Sequence, residues 1–207
     1  MSQPADPLSH PAPLTEGLER LDIDAAASAA RHRRHPVVRA LGAASEIADQ
    51  IPLALVCGTI LAGGLVGGRP QVAWIGARML AAHVLANVVK RRIKNRLRRT
   101  RPEKALEEQD YAFEPGRSRD GHETSFPSGH TAGAVAVAAI VARDQPLLAA
   151  PAIATAILMS AIQVPRARHY PSDVAAGAAL GLAAAGLVNL LLPPLPESHP
   201  QENDHVG

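Results

Sequence analysis

The chain is poor in aromatic residues, 2% of 207, and has a single cysteine, Cys57. A lone thiol excludes a disulfide-stapled scaffold, and Cys57 lies in an apolar stretch where it reads as a small hydrophobic side chain. No aromatic rings interleave with the cationic stretches, so binding of nucleic acid through base stacking is not expected. The 16 Gly and 18 Pro show no period, which excludes a collagen-like repeat. Large net charge is also missing. Lys and Arg number 21 against 19 Asp and Glu, and 47% of residues are hydrophobic, which excludes a wholly disordered chain. The amino-terminal stretch lacks the three-part layout of a cleavable secretory signal, and none is expected.

What is present is a division of the sequence into two populations. The mean hydropathy of +0.02 suits a soluble protein, but the charges collect in the tails and in two internal stretches. Between them run 18 uncharged residues from Ile51 to Gly68, 18 from Ser125 to Ala142, 20 from Pro146 to Pro165 and 23 from Val174 to Pro196. A spanning helix needs roughly 17 to 25 apolar residues. A fifth run, Gln71 to Val89, is interrupted by Arg78 and His83, which in a spanning helix should face other helices or a wet cavity. Four or five such helices would leave a soluble bundle almost no polar face. The expected fold is therefore all-α: an integral membrane helical bundle with about five spanning helices, preceded by an amphipathic amino-terminal helix.

The pattern divides the chain into a disordered tail at 1–13, an amphipathic or interfacial helical segment at 14–49, a membrane-embedded domain at 50–196 and a polar tail at 197–207. In the second of these, Glu16 and Glu19 precede Arg31, Arg33 and Arg34, the order a helix dipole favours. Leu14, Leu18, Leu21 and Ala25 form a stripe suited to a membrane surface. Five spans alternate sides, and 18 of the 21 Lys and Arg fall on the side where the first span begins. The positive-inside rule puts that side in the cytoplasm, as in a multi-pass inner-membrane protein. Nothing in the pattern excludes self-association into a homo-oligomer.

Three chemically loaded stretches fall on that same side. In the first, Lys94 and Arg101 lie seven residues apart, so a continuing helix would put both cations on one face, with Pro102 favouring its end. In the second, Pro127-Ser128-Gly129-His130 offers a helix amino terminus whose free amides can hold an anion, with His130 in reach as a general acid. In the third, His169 precedes Asp173 by one helical turn. A carboxylate there can fix the imidazole tautomer and activate the other ring nitrogen.

Together these residues resemble the type 2 phosphatidic acid phosphatase family, whose fold is shared with vanadium-dependent haloperoxidases. The family's motifs are Lys, six residues, Arg-Pro; then Pro-Ser-Gly-His; then Ser-Arg, five residues, His, three residues, Asp. Lys94 with Arg101-Pro102 fits the first, residues 127–130 match the second, and His169 with Asp173 fits the end of the third. The positions expected to read Ser-Arg are Ile162 and Gln163. The resemblance spans about residues 50–195.

The resemblance implies hydrolysis of a lipid or polyprenyl phosphate or diphosphate through a phosphohistidine, without metal or other cofactor. In that scheme Lys94, Arg101, Ser128 and Gly129 hold the phosphoryl oxygens. His169 attacks, Asp173 orients it, and His130 serves as acid and then base. Arg166, Arg168 and Gln163 are the auxiliary candidates for the role of the missing arginine, since a neutral hydrogen bond is worth about half a charge-assisted one. The partners are the bilayer and its lipid phosphate substrate, and no nucleic acid. Two other readings use the same pocket: a catalytically weakened member that binds phospholipid or a partner protein, and a vanadate-dependent peroxidase. The loop from Glu103 to Thr124 is either a lid over the headgroup or a solvated connector.

Overall fold

The computed structural model describes residues 13–196. Helix α1 (Pro13–Ala30) and helix α2 (Pro36–Ser45) precede a single turn at Glu46–Ala48. The bundle itself is α3 (Gln50–Val66), α4 (Pro70–Lys94), α6 (Gly129–Asp144), α7 (Pro146–Ala161) and α8 (Pro171–Leu191). Between α4 and α6 lie strand β1 (Leu97–Arg99), helix α5 (Pro102–Glu108) and strand β2 (Phe113–Pro115). The two strands pair antiparallel, Leu97 opposite Pro115. The tails expected at 1–13 and 197–207 fall outside the described residues, except for Pro13, which opens α1.

Each of the five apolar runs becomes one bundle helix, and the chain is an integral membrane protein of the all-α class. Helices α4 and α8 are individually long and apolar enough to cross a bilayer. A third span would combine Pro36–Ala48 with α3 across a bend of 57°. At 16 residues each, α6 and α7 are about 24 Å long, short of the roughly 30 Å hydrocarbon core. Both are shortened where the chain turns toward the site. Ser128 caps α6 four residues inside the apolar run, and α7 stops at Ala161, before the turns that lead to His169.

Helix α6 packs against α4, α7 and α8, and most of the core at these contacts is alanine. Small side chains let the backbones approach. A methyl group added at Gly177 would lie 2.6 Å from the Ser128 carbonyl oxygen, and one at Gly181 would lie 2.6 Å from that of Ala132. This Gly-x-x-x-Gly face therefore seats α8 directly on the first turns of α6. The large apolar side chains point outward instead. Leu55, Leu65, Leu147, Ile157, Leu182 and Leu190 are all exposed, the surface expected of a bundle whose solvent is lipid.

The weak fifth run yields the longest helix, because its polar residues are satisfied inside the bundle. Arg78 of α4 is fully buried and bonds Asp144 at the end of α6 and Asn189 of α8. His83 Nε2 lies 2.9 Å from the Gln50 carbonyl oxygen.

Helix α1 ends at Ala30, directly before the arginines expected to close it, Arg31, Arg33 and Arg34. Its leucine face is turned outward, with Leu18 and Leu21 exposed, while Ala26 and Ala30 are buried against the protein. Tyr170, whose place near a helix end suits an interfacial anchor, is buried in the site described next.

Candidate active site

The cation-rich stretch after α4 does not continue as helix. Helix α4 stops at Lys94, Asn95 caps it, and the chain turns into β1 before α5 begins at Pro102 with Arg101 as its amino-terminal cap. Pro102 thus starts a helix instead of ending one. Lys94 and Arg101 are brought together by this turn and hairpin, not by a shared helical face. Lys94 Nζ donates to the Thr124 carbonyl oxygen, and Arg101 Nε donates to that of Gly121 at 2.8 Å. The loop between the first two motifs is therefore pinned down by both motif cations. Lys104 adds contacts of 3.0 Å to Asp120 and to Glu123. The hydrogen bond to Glu123 is the largest cause holding the Lys104 ammonium above its usual range.

Ser128 is the amino-terminal cap of α6, fully buried, and its Oγ accepts from Thr131 Oγ1 at 3.0 Å. The hydroxyl thus shapes the first turn of α6, where the Gly129 and His130 amides have no intrahelical acceptor. His130 Nε2 lies 3.7 Å from Glu46 Oε2.

The second and third motifs are joined by backbone, since Ser128 N donates to the Asp173 carbonyl oxygen at 3.0 Å. The third is tied to the first by Glu103 N, which donates to the Ala167 carbonyl oxygen, also at 3.0 Å. All three stretches expected from sequence to share one face of the bundle converge.

His169 and Asp173 face each other at 3.6 Å, Nδ1 to Oδ2, longer than a hydrogen bond. The carboxylate is already shared among other donors. Asp173 Oδ2 accepts from Ser125 Oγ and, at 2.9 Å, from Tyr170 N; Oδ1 accepts from Arg99 Nη1 at 2.7 Å. Asp173 thus anchors the turn that carries His169 as well as facing its ring. Burial pushes His169 down to about 4; the Asp173 carboxylate opposes the shift, while Arg101 and Lys94 add to it. The ring is consequently neutral at ordinary pH, with Nε2 as the nitrogen turned away from Asp173.

Arg99, like Ser125 and Glu46, is a site residue that sequence reasoning missed. Only 2% exposed, it bonds Asp173, Ser172 Oγ at 2.7 Å and Asp22 Oδ2 of α1 at 2.6 Å. Its guanidinium lies 4.1 Å from the Tyr170 ring centroid and 4.7 Å from that of Phe113. Burial opposes its charge, but Asp173 and its other partners outweigh that and hold it above the ordinary arginine range. Asp22 also accepts from Ser172 N at 2.9 Å, so α1 supplies a carboxylate to the amino terminus of α8. The signal available in sequence was slight: Arg99 is one of six arginines between residues 91 and 101.

Gln163, at the expected arginine position, is fully buried. Its Nε2 donates to the Met159 carbonyl oxygen at 3.0 Å and to Ser45 Oγ at 3.2 Å. Arg166 lies beside it, donating to Ser45 Oγ at 2.9 Å and to Glu46, the carboxylate that faces His130. It crosses Gly42 closely enough that an added methyl there would lie 2.9 Å from Arg166 Nε. Arg168 is more exposed and reaches Glu103 only at 3.9 Å. Burial lowers Arg101, and the charges of Arg168 and Arg166 act in the same direction, so these three guanidiniums share one field.

Cations, two histidines and helix-terminal amides thus meet at one end of an apolar membrane bundle, a chemistry suited to an anion. The PAP2 superfamily profile matches residues 72–195, and the chain belongs to that family. It is 34% identical over 110 residues to a lipid A 1-phosphatase of Rhizobium etli, covering 53% of this chain and 47% of that protein. It is 29% identical over 135 residues to the decaprenylphosphoryl-5-phosphoribose phosphatase of Mycobacterium tuberculosis, covering 62% and 67%. The chain thus spans about half the length of the lipid A phosphatase. A transmembrane PAP2 type phosphatidylglycerolphosphate phosphatase from Bacillus subtilis shares the fold, with a TM-score of 0.64 at 18% identity over 88% of this chain and 90% of the other.

Proposed function

We propose that the protein is a membrane lipid phosphatase, hydrolysing a phosphomonoester or diphosphate of a lipid or polyprenol through a phosphohistidine intermediate. The observation that carries this reading is the convergence of neutral, buried His169 with Lys94, Arg101 and the first turn of α6. His169 Nε2 attacks phosphorus and forms a P–N bond as the bond to the lipid oxygen breaks. His130 protonates the departing oxygen, then takes a proton from the water whose oxygen displaces His169. Lys94, Arg101, Ser128 and the Gly129 amide hold the phosphoryl oxygens and stabilise their growing charge. Arg166, held by Glu46, turns to the phosphoryl group when the substrate anion competes for it. Names of the relatives support lipid A, polyprenyl phosphates and phosphatidylglycerol phosphate as the classes to try. No metal is required for these steps. The test is phosphate release from a panel of these lipids by purified protein in detergent. Turnover of at least one is expected; binding of the panel without turnover of any would leave the lipid-binding alternative in its place.

The active site faces the cytoplasm in this reading, supported by the 18 basic residues on its side of the bundle. Native Cys57 is buried and gives no background to an impermeant thiol reagent. Arg117→Cys, on the exposed loop between β2 and α6, is expected to resist such a reagent in intact cells and to react after lysis. Labelling before lysis would put the site on the outer face.

A further inference from the structure

One cation at the site belongs to none of the three motifs. Lys90 lies one helical turn before Lys94 on α4, and only 9% of it is exposed. Among the described residues its one hydrogen bond, Nζ to Asn87 Oδ1 at 2.6 Å, is to a neutral amide. Among the described residues no carboxylate lies within 4 Å of Nζ, and Asp49 acts on it only from farther away. Asn87 in turn packs on the His83 ring at 3.1 Å and donates to the His83 carbonyl at 2.9 Å, so the ammonium is aimed from within the bundle. It is aimed at the amino terminus of α6: a methyl group placed on Gly129 would lie 3.0 Å from Lys90 Nζ and 3.0 Å from its Cδ. A buried cation without a counter-ion is costly. Here it stands beside free helix-terminal amides, the setting that favours a bound anion.

We propose that Lys90 binds the non-bridging oxygens of the substrate phosphoryl group at Gly129 and supplies the positive charge lost where Gln163 replaces arginine. This rests on the phosphatase reading of the site and adds to it a ligand that lies outside the three motifs. Lysine suits the position because an ammonium acts as a compact point charge, needing no planar partner, and glycine leaves it room. Gln163 need not face the anion, which agrees with its bonds to Ser45 and Met159.

The experiment compares wild type with K90R, K90M, Q163R and the K90M/Q163R pair, reading kcat/KM and, by calorimetry, direct binding of orthovanadate. K90M is expected to lose at least tenfold in kcat/KM and in vanadate affinity, while K90R stays within about threefold of wild type. Q163R is expected to gain less than threefold alone, yet to recover at least tenfold in the K90M background. Wild-type vanadate affinity and kcat/KM in K90M would overturn the role of Lys90. If K90M does not fold, K90Q takes its place in both backgrounds with the same expected losses and recovery, and a gain above tenfold in Q163R alone would mean that the charge was missing and Lys90 did not supply it. The two readings separate cleanly. A wild type that turns over no lipid phosphate removes the phosphatase reading while vanadate binding by the variants still tests Lys90; an active wild type with an unaffected K90M removes Lys90 alone.

Discussion

Replacing His169 with alanine is expected to lower phosphate release by a factor on the order of 10⁴ or more, because the P–N bond can no longer form and only electrostatic binding is left to act. The protein should still fold, since His169 Nδ1 makes no hydrogen bond and the cations around it are untouched. Full residual activity in H169A would overturn the covalent scheme. The same residue sets a pH expectation. An imidazole pushed down to about 4 by burial keeps its nucleophilic neutral form well below its ordinary value. The acid limb of kcat/KM due to His169 should therefore lie near pH 4, since this profile reports the free enzyme. A limb at 6.5 that disappears in no other histidine variant would show that the nucleophile is an ordinary solvated imidazole.

Arg99→Met is the second large effect. The substitution keeps most of the volume but leaves Asp173 and Asp22 buried without their shared cation. Breaking a buried pair from one side costs about 3–5 kcal/mol, enough to lower the melting temperature of the detergent-solubilised protein well outside measurement error. Activity should fall with it, mainly in kcat, because the Tyr170 turn that sets His169 is fixed by the same carboxylate. Arg99→Lys should lie between, since lysine keeps the charge but not the planar fork that serves Asp173, Ser172 and Asp22 together. Asp22→Asn should weaken the protein by less, because Arg99 keeps Asp173. If R99M melted like wild type, the buried network would carry no net energetic weight.

The bundle was legible because hydrophobicity is local: each apolar run, including the interrupted one, marks a helix to within a few residues at most of its ends. Arg78 and His83 weakened that reading from sequence because their partners, Asp144, Asn189 and the Gln50 carbonyl, are distant along the chain. The three motif stretches were legible because helix-terminal glycine, histidine and spaced cations each carry a local chemistry. The join between Lys94 and Arg101 was not, since periodicity cannot show that a cationic helix breaks at Asn95 to form a hairpin with residues 113–115. Arg99, Ser125 and Glu46 escaped for a related reason. Nothing local separates a buried arginine from its five neighbours, and their roles exist only once α1, the hairpin and α8 have met.

The contact between Asp22 and the start of α8 bears on how much chain the site requires. The family match begins at residue 72 and the motifs at Lys94, yet the carboxylate that completes the Arg99 cluster comes from α1, and the one that faces His130 comes from Glu46. A fragment cut to residues 72–195 would retain every motif and lose both. The segment ahead of the bundle thus supplies two carboxylates that border the motif residues, and truncation at residue 72 removes both.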